Sequence, residues 1–288
     1  MSDTGGKKLV LVTGGAGFIG SHLCEQLAKD GHQVISLDNY FTGSKDNHVA
    51  GVEYREGHTR DIAKHISEKP DIIYHLGEYS RVEVSLTEPA VVWDLNVAGT
   101  FAVLEFWRQR GGKLIYAGSS TKFADGGLGR DQSPYAWTKA TNSELVRNYS
   151  TWYKLPYAIT YFYNVYGPGE RVGKYGTVIE IFRQKARKKE PLLVNAPGTQ
   201  RRIFTHVEDI VDGLLLVGEK GEGDEFGLGA DESFSILEVA QMFSDTFEMG
   251  PEVLGNRMNA SLDTTKARAI GWQPKHKLAA YIQSSISA

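Results

Sequence analysis

The sequence predicts an α/β protein with a doubly wound parallel sheet and a smaller, mainly C-terminal α/β lobe. Predicted strands alternate with helical stretches, several strands are short and wholly apolar, and the first strand turns through evenly spaced glycines into a helix. Strands joined by helices form right-handed crossovers, and parallel strands buried on both faces lack polar alternation. A chain of 288 residues is large for one compact core, which leaves room for the second lobe.

The first strand–turn–helix unit spans residues 9–22. Leu9 to Thr13 form an apolar, β-branched strand, and helical spacing begins at Phe18 and Ile19. The glycines of the unit are Gly14, Gly17 and Gly20. In a Rossmann-type unit, glycines at these positions make the tight turn, admit a pyrophosphate and let helix and strand pack closely. The pyrophosphate then lies on the free N–H groups of the helix. The alternative is a tight turn in a buried core without a ligand.

Asp38 ends the second predicted strand, which covers residues 33–37. A carboxylate at this position accepts hydrogen bonds from the ribose hydroxyls of adenosine and repels a 2′-phosphate. Asn39 follows it, where an Arg or Lys would favour such a phosphate. The pattern predicts NAD rather than NADP, against the alternative of an Asp that only caps a turn.

The remaining elements follow in chain order. Predicted strands cover residues 52–54, 72–76, 113–117 and 157–162, and long helices cover about 89–110 and 134–154. We predict that residues 1–165 form the NAD-binding domain and that about 203–218 return to it as a helix. Residues 166–202 and 219–288 would form the substrate-binding lobe. In that lobe Ser235 and Glu238 form a capping box that opens a helix predicted over 236–249.

Composition argues against several classes of protein. A net charge of −3 and a pI near 6.3 give no support for nucleic-acid binding. The single cysteine, Cys24, excludes internal disulfides and indicates a reducing, cytoplasmic location. We expect no apolar run of membrane-spanning length and no signal peptide, hence no membrane partner. His75 and His206 lack carboxylates at metal-ligand spacing, so we expect structural roles for both and no metal.

A second group of candidate functional residues lies at and after the end of the fifth predicted strand. Tyr135 and Lys139 are four residues apart on a predicted helix and therefore share one face. A nearby ammonium lowers the pKa of a tyrosine from about 10 toward neutrality, where the tyrosine acts as a general base. Ser119 ends the strand at the carboxyl edge of the sheet and can share the proton that Tyr135 moves. The alternatives are a chance aromatic–basic pair and a serine that only caps a turn.

These motifs occur with others in a recognisable order. They are VTGGAGFIGSH, Asp38, Asp61-Ile62, IIYHL, Asn96-Val97-Ala98-Gly99-Thr100, Ser119, Tyr135-x-x-x-Lys139, Asn164-Val165-Tyr166-Gly167-Pro168 and FTHVEDI. From residue 9 to about 212, the chain resembles extended short-chain dehydrogenases/reductases of the nucleotide-sugar epimerase/dehydratase kind. The resemblance implies an NAD cofactor and a nucleotide-sugar substrate, with a UDP-sugar favoured.

The resemblance also implies roles for individual residues. The catalytic set is Ser119, Tyr135 and Lys139. The cofactor contacts are Gly14, Gly17, Phe18, Ile19, Gly20, Asp38, Asn39, Asp61, Ile62, Leu76, Asn96, Tyr135, Lys139 and Tyr163. The substrate contacts are Ser120, Asn164, Val178, Leu193, Val194, Arg202 and Arg257.

Departures from the family's pattern narrow the expected reaction. Ser120 and Thr121 stand where dehydratases carry an Asp–Glu pair, and Thr121 also replaces the Glu of decarboxylating relatives and the Cys of 3,5-epimerising ones. Reversible oxidation at C4 remains, as in a 4-epimerase. A 4-dehydrogenase or ketoreductase, a 4,6-dehydratase and a non-catalytic NAD-binding protein are the alternatives. Gly77-Glu78 replaces a small alanine pair and places a negative charge near the cofactor.

The two long helices predict a homodimer. Trp93, Phe101, Leu104 and Trp107 on helix 89–110, with Leu145, Tyr149 and Trp152 on helix 134–154, exceed what packing on the sheet needs. In the resembled family these helices form a four-helix bundle with a second subunit. The alternative is a pair of ordinary amphipathic core helices.

Overall fold

The computed structural model describes residues 6–252 and 262–287. Its main sheet has seven strands, all parallel, in the order β11-β6-β5-β4-β1-β2-β3. Their bounds are β1 Leu9–Thr13, β2 Gln33–Asp38, β3 Val52–Glu56, β4 Ile72–His75, β5 Lys113–Ser119, β6 Tyr157–Phe162 and β11 Gly223–Leu228. The order reverses between β1 and β4, which creates the crevice where open α/β sheets bind ligands. The predicted fold class is confirmed.

Helices cover both faces of this sheet. The α-helices of the described residues, some of which belong to the lobe, are α1 Phe18–Lys29, α2 Ile62–His65, α3 Val82–Ser85, α4 Pro89–Val92, α5 Gly99–Arg110, α6 Pro134–Tyr153, α7 Val178–Arg187, α8 Val207–Lys220, α9 Ile236–Phe243, α10 Thr265–Ala269 and α11 Leu278–Ser287. On one face, α1 and α8 pack through a core that includes Leu23 and Leu214. On the other face, α5 and α6 pack through Trp107 and Val146. The sheet is therefore buried on both sides, as its apolar strands require.

A separate apolar core lies beyond the carboxyl edge of the sheet. It joins α7, α9 and α11 through Phe182, Phe243 and Ile282. Three two-stranded sheets accompany it. Their strands are β7 Val165–Tyr166 with β10 Thr205–His206, β8 Leu192–Asn195 with β13 Phe247–Gly250, and β9 Arg201–Ile203 with β12 Ser233–Ser235. This lobe faces the crevice of the main sheet.

Two segments differ from the expectation for 219–288. Strand β11 pairs with β6 in the main sheet, and Ala267 and Trp272 pack into the main core, so these parts lie with the sheet domain. The helix predicted over 236–249 begins with its capping box but ends at Phe243. Residues 247–250 instead pair with β8, because the polar sequence after Phe243 interrupts the helix and backbone partners are available there. Helix α8 does return to the sheet domain and packs on α1.

The helical stretch Pro89–Arg110 corrects one sequence expectation. By length and composition it could cross a membrane, with a mean hydropathy of 1.2 in its most apolar window. Half of that window is buried, and Leu104 and Trp107 are fully enclosed by the protein's own core. The buried core helix of a soluble protein meets the same criteria, and these contacts agree with that interpretation.

Candidate active site

The glycine turn after β1 leaves no space for side chains. A Cβ built on Gly20 would lie 2.0 Å from the carbonyl oxygen of Gly14, and Gly14 itself has φ +76°. Helix α1 begins directly after Gly17, so its first N–H groups have no partner within the helix. Phe18 and Ile19 line the adjoining cleft. The turn therefore offers a close backbone approach and free donors, which fit the pyrophosphate of a dinucleotide.

Asp38 lies on the wall of the same cleft, at the end of β2. Its two carboxylate oxygens accept the backbone N–H groups of Ala16, at 2.9 Å, and Tyr40, at 2.8 Å. Burial raises the pKa of Asp38, and these two N–H groups partly offset that effect. Because the backbone fixes the carboxylate in place, it is oriented to accept the hydroxyls of an adenine ribose.

The end of β5 presents hydroxyl groups. The Oγ of Ser119 accepts the backbone N–H of Thr121 at 3.3 Å and the hydroxyl of Thr121 at 3.0 Å. Ser120 lies next to them, and the hydroxyl of Tyr163 donates to the Ser120 carbonyl at 3.4 Å. Both Ser119 and Thr121 are buried against the cleft. The end of β5 thus presents three alcohol side chains, Ser119, Ser120 and Thr121, to the cleft.

Helix α6 brings Tyr135 and Lys139 to the cleft. Ser133 caps the helix by accepting the Ala136 N–H at 3.1 Å, and Pro134 occupies its first turn. Tyr135 is held in an apolar cluster with Tyr79 and Leu95. The side chains of Tyr135 and Lys139 both face the protein interior and both line the cleft with Ser119. The structure thus brings together the three residues predicted to be catalytic.

The Lys139 ammonium makes hydrogen bonds on the side that faces the sheet. Its ammonium donates to the carbonyl of Ala117 and to a carboxylate oxygen of Glu78. The side chains of both ionic partners are almost completely buried. Glu78, whose negative charge the sequence predicts near the cofactor, therefore forms a buried ion pair with Lys139, the predicted catalytic lysine.

The Asn96 side chain hydrogen-bonds to the backbone of Tyr79, in the loop after β4. It accepts the Tyr79 N–H at 2.6 Å and donates to the Tyr79 carbonyl at 3.2 Å and to the Thr138 hydroxyl at 3.1 Å. It lies in a π-helical segment, Trp93–Ala98, that joins α4 to α5. Such segments often re-aim functional side chains. Asn96 is fully buried and supports the cleft wall without lining it.

The two histidines have packing roles. His75 is buried between Thr13 and Thr100, with ring nitrogen to hydroxyl distances of 2.7 and 2.9 Å. His206 caps α8 by accepting the Glu208 N–H at 3.3 Å, and its ring stacks on His276. The ligand atoms of His206, Glu208 and His276 lie within 4.8 Å of one another. However, one His206 nitrogen accepts the hydrogen bond that caps α8, and both His276 nitrogens contact carboxylates. These contacts give the group a structural role.

Most predicted binding residues line one cleft between the sheet edge and the lobe. Those that do are Gly14, Gly17, Phe18, Ile19, Gly20, Asp38, Asn39, Leu76, Ser119, Ser120, Tyr135, Lys139, Tyr163, Asn164, Val178, Leu193 and Arg202. Asp61, Ile62, Asn96 and Val194 do not line it, and Arg257 lies outside the described residues. Ile62 and Val194 belong to apolar cores. Gly57 and Thr59 line the cleft where Asp61 and Ile62 were expected. The contacts themselves stay predictions.

Several residues on the cleft wall were not singled out from the sequence. Arg81 donates through Nε to the Tyr175 carbonyl at 2.7 Å. Glu170 is 9% exposed, and among hydrogen-bonding groups of the described chain neither of its oxygens has a partner. Thr177 and Gln200 also carry buried oxygens without a partner in the described part of the chain. All four side chains lie on loops or short strands, where no periodic pattern marks them.

The fold and the site define a class of protein: a Rossmann-type α/β protein with a dinucleotide turn, an acidic ribose position and a Ser–Tyr–Lys set. The chain belongs to the NAD dependent epimerase/dehydratase family, whose model matches residues 10–229. NAD is the cofactor of this family, and the glycine turn and Asp38 fit it.

Relatives within the family carry different activities. A putative UDP-glucose 4-epimerase of Methanocaldococcus jannaschii is 31% identical over 93% of this chain and 93% of its own length. UDP-glucuronic acid decarboxylase 2 of Arabidopsis thaliana is 31% identical over 93% of this chain, which spans only 65% of that protein. A solved UDP-glucose 4-epimerase of Thermus thermophilus, in complex with NAD, has a TM-score of 0.88 and 27% identity, covering 97% of this chain and 98% of that one.

Proposed function

We propose that this protein is an NAD-dependent epimerase that inverts C4 of a UDP-sugar. The observation that carries the proposal is the set of alcohol groups at the end of β5, beside Tyr135 and Lys139. Thr121 donates its hydroxyl to Ser119, so this position supplies no acid for elimination of water or loss of carbon dioxide. The epimerases among the relatives and solved structures support a UDP-sugar as substrate.

Each catalytic side chain has a role in proton transfer at the substrate's C4 hydroxyl. The phenol oxygen of Tyr135 accepts the hydroxyl proton as the carbon is oxidised and returns it when the carbon is reduced. Ser119 hydrogen-bonds to the same substrate oxygen and holds it against Tyr135. NAD held by the glycine turn and Asp38 would supply a reversible hydride acceptor for C4. Epimerisation follows when the keto sugar presents its opposite face, and no net oxidation occurs.

Lobe residues would hold the nucleotide part of the substrate. Arg202 lies on the cleft wall, and a guanidinium binds diphosphate oxygens through paired N–H donors. Asn164 lies nearby, with its amide donating to the Ile203 carbonyl at 3.0 Å. Leu193 is half exposed and can pack against the base. Its neighbour Val194 points into the lobe core because successive strand residues face opposite sides.

The experiment is product analysis with a panel of sugar nucleotides. We expect incubation with UDP-glucose or UDP-N-acetylglucosamine to yield the C4 epimer without net NADH, and UDP-glucuronic acid to release no carbon dioxide. Tyr135→Phe should lose at least about 100-fold in kcat while it still binds NAD, because a general base contributes about 10²–10⁴-fold. Tyr157→Phe, a tyrosine outside the cleft, is the matched control. Carbon dioxide release, or full activity of Tyr135→Phe, would contradict the proposal.

We also propose that α5, α6 and the segment before α5 form a homodimer interface. Trp93, Phe101 and Trp152 are 55%, 51% and 59% exposed on these helices. Leu104, Trp107 and Tyr149, which the sequence placed with them, are buried in the protein's own core. Trp93 also stacks on the partly exposed Trp137, which extends the apolar surface across both helices. An apolar surface of this kind on two neighbouring helices supports pairing with a second copy.

A further inference from the structure

Glu78 is a buried carboxylate beside the reaction site. It follows β4 at the carboxyl edge of the main sheet, and its side chain is 3% exposed. One oxygen, Oε2, accepts from the Lys139 ammonium. The other, Oε1, accepts from Thr100 Oγ1 at 2.6 Å, Asn142 Nδ2 at 2.8 Å and the Tyr116 hydroxyl at 3.1 Å. Four donors, from α5, α6 and β5, thus converge on one carboxylate.

This environment keeps Glu78 ionised. Burial disfavours the carboxylate, but the positive charge of Lys139 and the hydrogen bonds outweigh it, so the pKa of Glu78 lies below its usual value. Burial and the Glu78 charge together hold the pKa of Tyr116 well above 10, so Tyr116 stays a donor. A buried carboxylate with this many donors is a fixed negative charge.

His75 contributes no positive charge to this group. Because the Thr100 hydroxyl donates to Glu78, the Thr100 oxygen accepts from His75 Nε2–H. In a neutral ring the other nitrogen, Nδ1, accepts from the Thr13 hydroxyl at 2.7 Å. Burial lowers the pKa of His75 to about 4, in agreement with a neutral imidazole. The negative charge of Glu78 is therefore balanced by Lys139 alone on this side of the cleft, within the part of the chain that the structure describes.

The pairing restricts what Lys139 can do. An ammonium has three N–H donors, and Lys139 gives two of them to Glu78 and the Ala117 carbonyl. Its charge also lies 4.8 Å from the Tyr116 ring centroid. One donor remains for the cleft, and the field that Lys139 exerts on Tyr135 is reduced by the opposite charge next to it.

Charges on the other side of Tyr135 come from the loop after β4 and the lobe. Arg81 is near enough for its charge to interact with both Glu170 and Tyr135. Tyr79 packs directly on Tyr135, and its hydroxyl donates to Glu88 at 3.1 Å. Arg81 is thus a cation on this side of Tyr135, and Arg171 lies near Arg81 on the same cleft wall, while the charge of Lys139 is offset by Glu78.

We propose that Glu78 is a positioning residue that fixes the Lys139 ammonium and sets the pH at which Tyr135 can accept a proton. Glu78 holds Lys139 against the end of β5 and cancels most of its charge. The Lys139 charge therefore stabilises an ionised Tyr135 phenol less than the charge of an unpaired lysine would. The inference rests on the proposed role of Tyr135 as the base, and it is independent of which sugar is converted.

The test is a tyrosinate absorbance titration of the purified protein. The difference between each protein and the same protein carrying Tyr135→Phe isolates the ionisation of Tyr135. We expect Glu78→Gln and Glu78→Ala to lower the midpoint by about one pH unit, because removing a neighbouring charge shifts such groups by one or more units. The pH of half-maximal kcat should move in the same direction.

Two control variants separate charge from structure. Glu78→Asp keeps the charge, and Thr100→Val removes one donor to Glu78 without changing charge, so both should leave the midpoint near that of the unmodified protein. An unchanged midpoint in the Gln and Ala variants would overturn the inference, as would an equal shift in Thr100→Val. If only Glu78→Asp yields folded protein by near-ultraviolet circular dichroism, Glu78 serves folding and the inference also fails. The absorbance readout needs no substrate, so a wrong sugar assignment would leave it intact.

Discussion

Glu170 makes the stability of this protein depend on pH in a predictable direction. Burial raises its pKa to about 8, and the negative charge of Glu180 adds to the effect, while Arg81 and Arg183 offset part of it. In the unfolded chain a glutamate has a pKa of about 4.3. The folded protein therefore binds this proton more tightly than the unfolded chain. The stabilisation is fully present below about pH 4.3 and is lost as the pH rises through about 8.

The perturbation is Glu170→Gln, which resembles the protonated carboxyl at every pH. Each pH unit between the two pKa values corresponds to about 1.4 kcal/mol. Between pH 5 and pH 8 the free energy of unfolding of the unmodified protein should thus fall relative to Glu170→Gln by about 3.5 kcal/mol. Groups that do not interact with Glu170 titrate equally in both proteins and cancel in the difference.

The assay is urea unfolding at pH 5, 6, 7 and 8, followed by circular dichroism. Glu190→Gln, an exposed glutamate just after helix α7, is the control and should show a constant difference from the unmodified protein. We expect the Glu170→Gln advantage to grow steadily with pH. Two parallel stability curves would refute the reasoning, because they would mean that Glu170 has the same pKa in the folded and unfolded states.

Two further predictions follow from close packing and from exposed surface. Gly20→Ala should lower the free energy of unfolding by about 1–3 kcal/mol and weaken NAD binding, because its Cβ would overlap the Gly14 backbone. Gly17→Ala, whose Cβ would have its nearest contact at 3.1 Å, should change thermal unfolding less. Trp152→Ser should convert the dimer to a monomer in light scattering, whereas Leu86→Ser, 46% exposed elsewhere, should not. A monomeric unmodified protein at micromolar concentration would contradict the dimer.

Local motifs predicted many of the residues that line the cleft. The glycine turn, Asp38 and the Tyr135–Lys139 spacing each depend on residues within a few positions of one another, and the structure brings them to one cleft. It was harder to predict which of two neighbouring strand residues faces the cleft than to predict where the strand lies. Leu193 and Val194 were both expected at the base, but adjacent strand residues face opposite sides, so only Leu193 reaches the cleft.

Long-range partners could not be predicted in this way. Strand β11 joins β6 across more than sixty residues, and its short sequence, GDEFGL, fits a lobe strand equally well from sequence alone. Glu78 was noted as an unusual charge, yet its pairing with Lys139, 61 positions away, depends on how β4, β5 and α6 pack together. The same holds for Glu170, whose burial results from the packing of the lobe against the sheet edge.

Glu78 and Glu170 show why such partners decide the chemistry of the cleft. Both are buried carboxylates, but Glu78 has Lys139 and three further donors, whereas Glu170 lacks any comparable partner among the described residues. Glu78 is therefore charged and cancels Lys139, while Glu170, with a pKa of about 8, is mostly neutral at pH 7. As the pH rises through about 8, ionisation of Glu170 places a negative charge near Arg81. An anionic ligand on this side of the cleft would therefore meet less net positive charge above that pH.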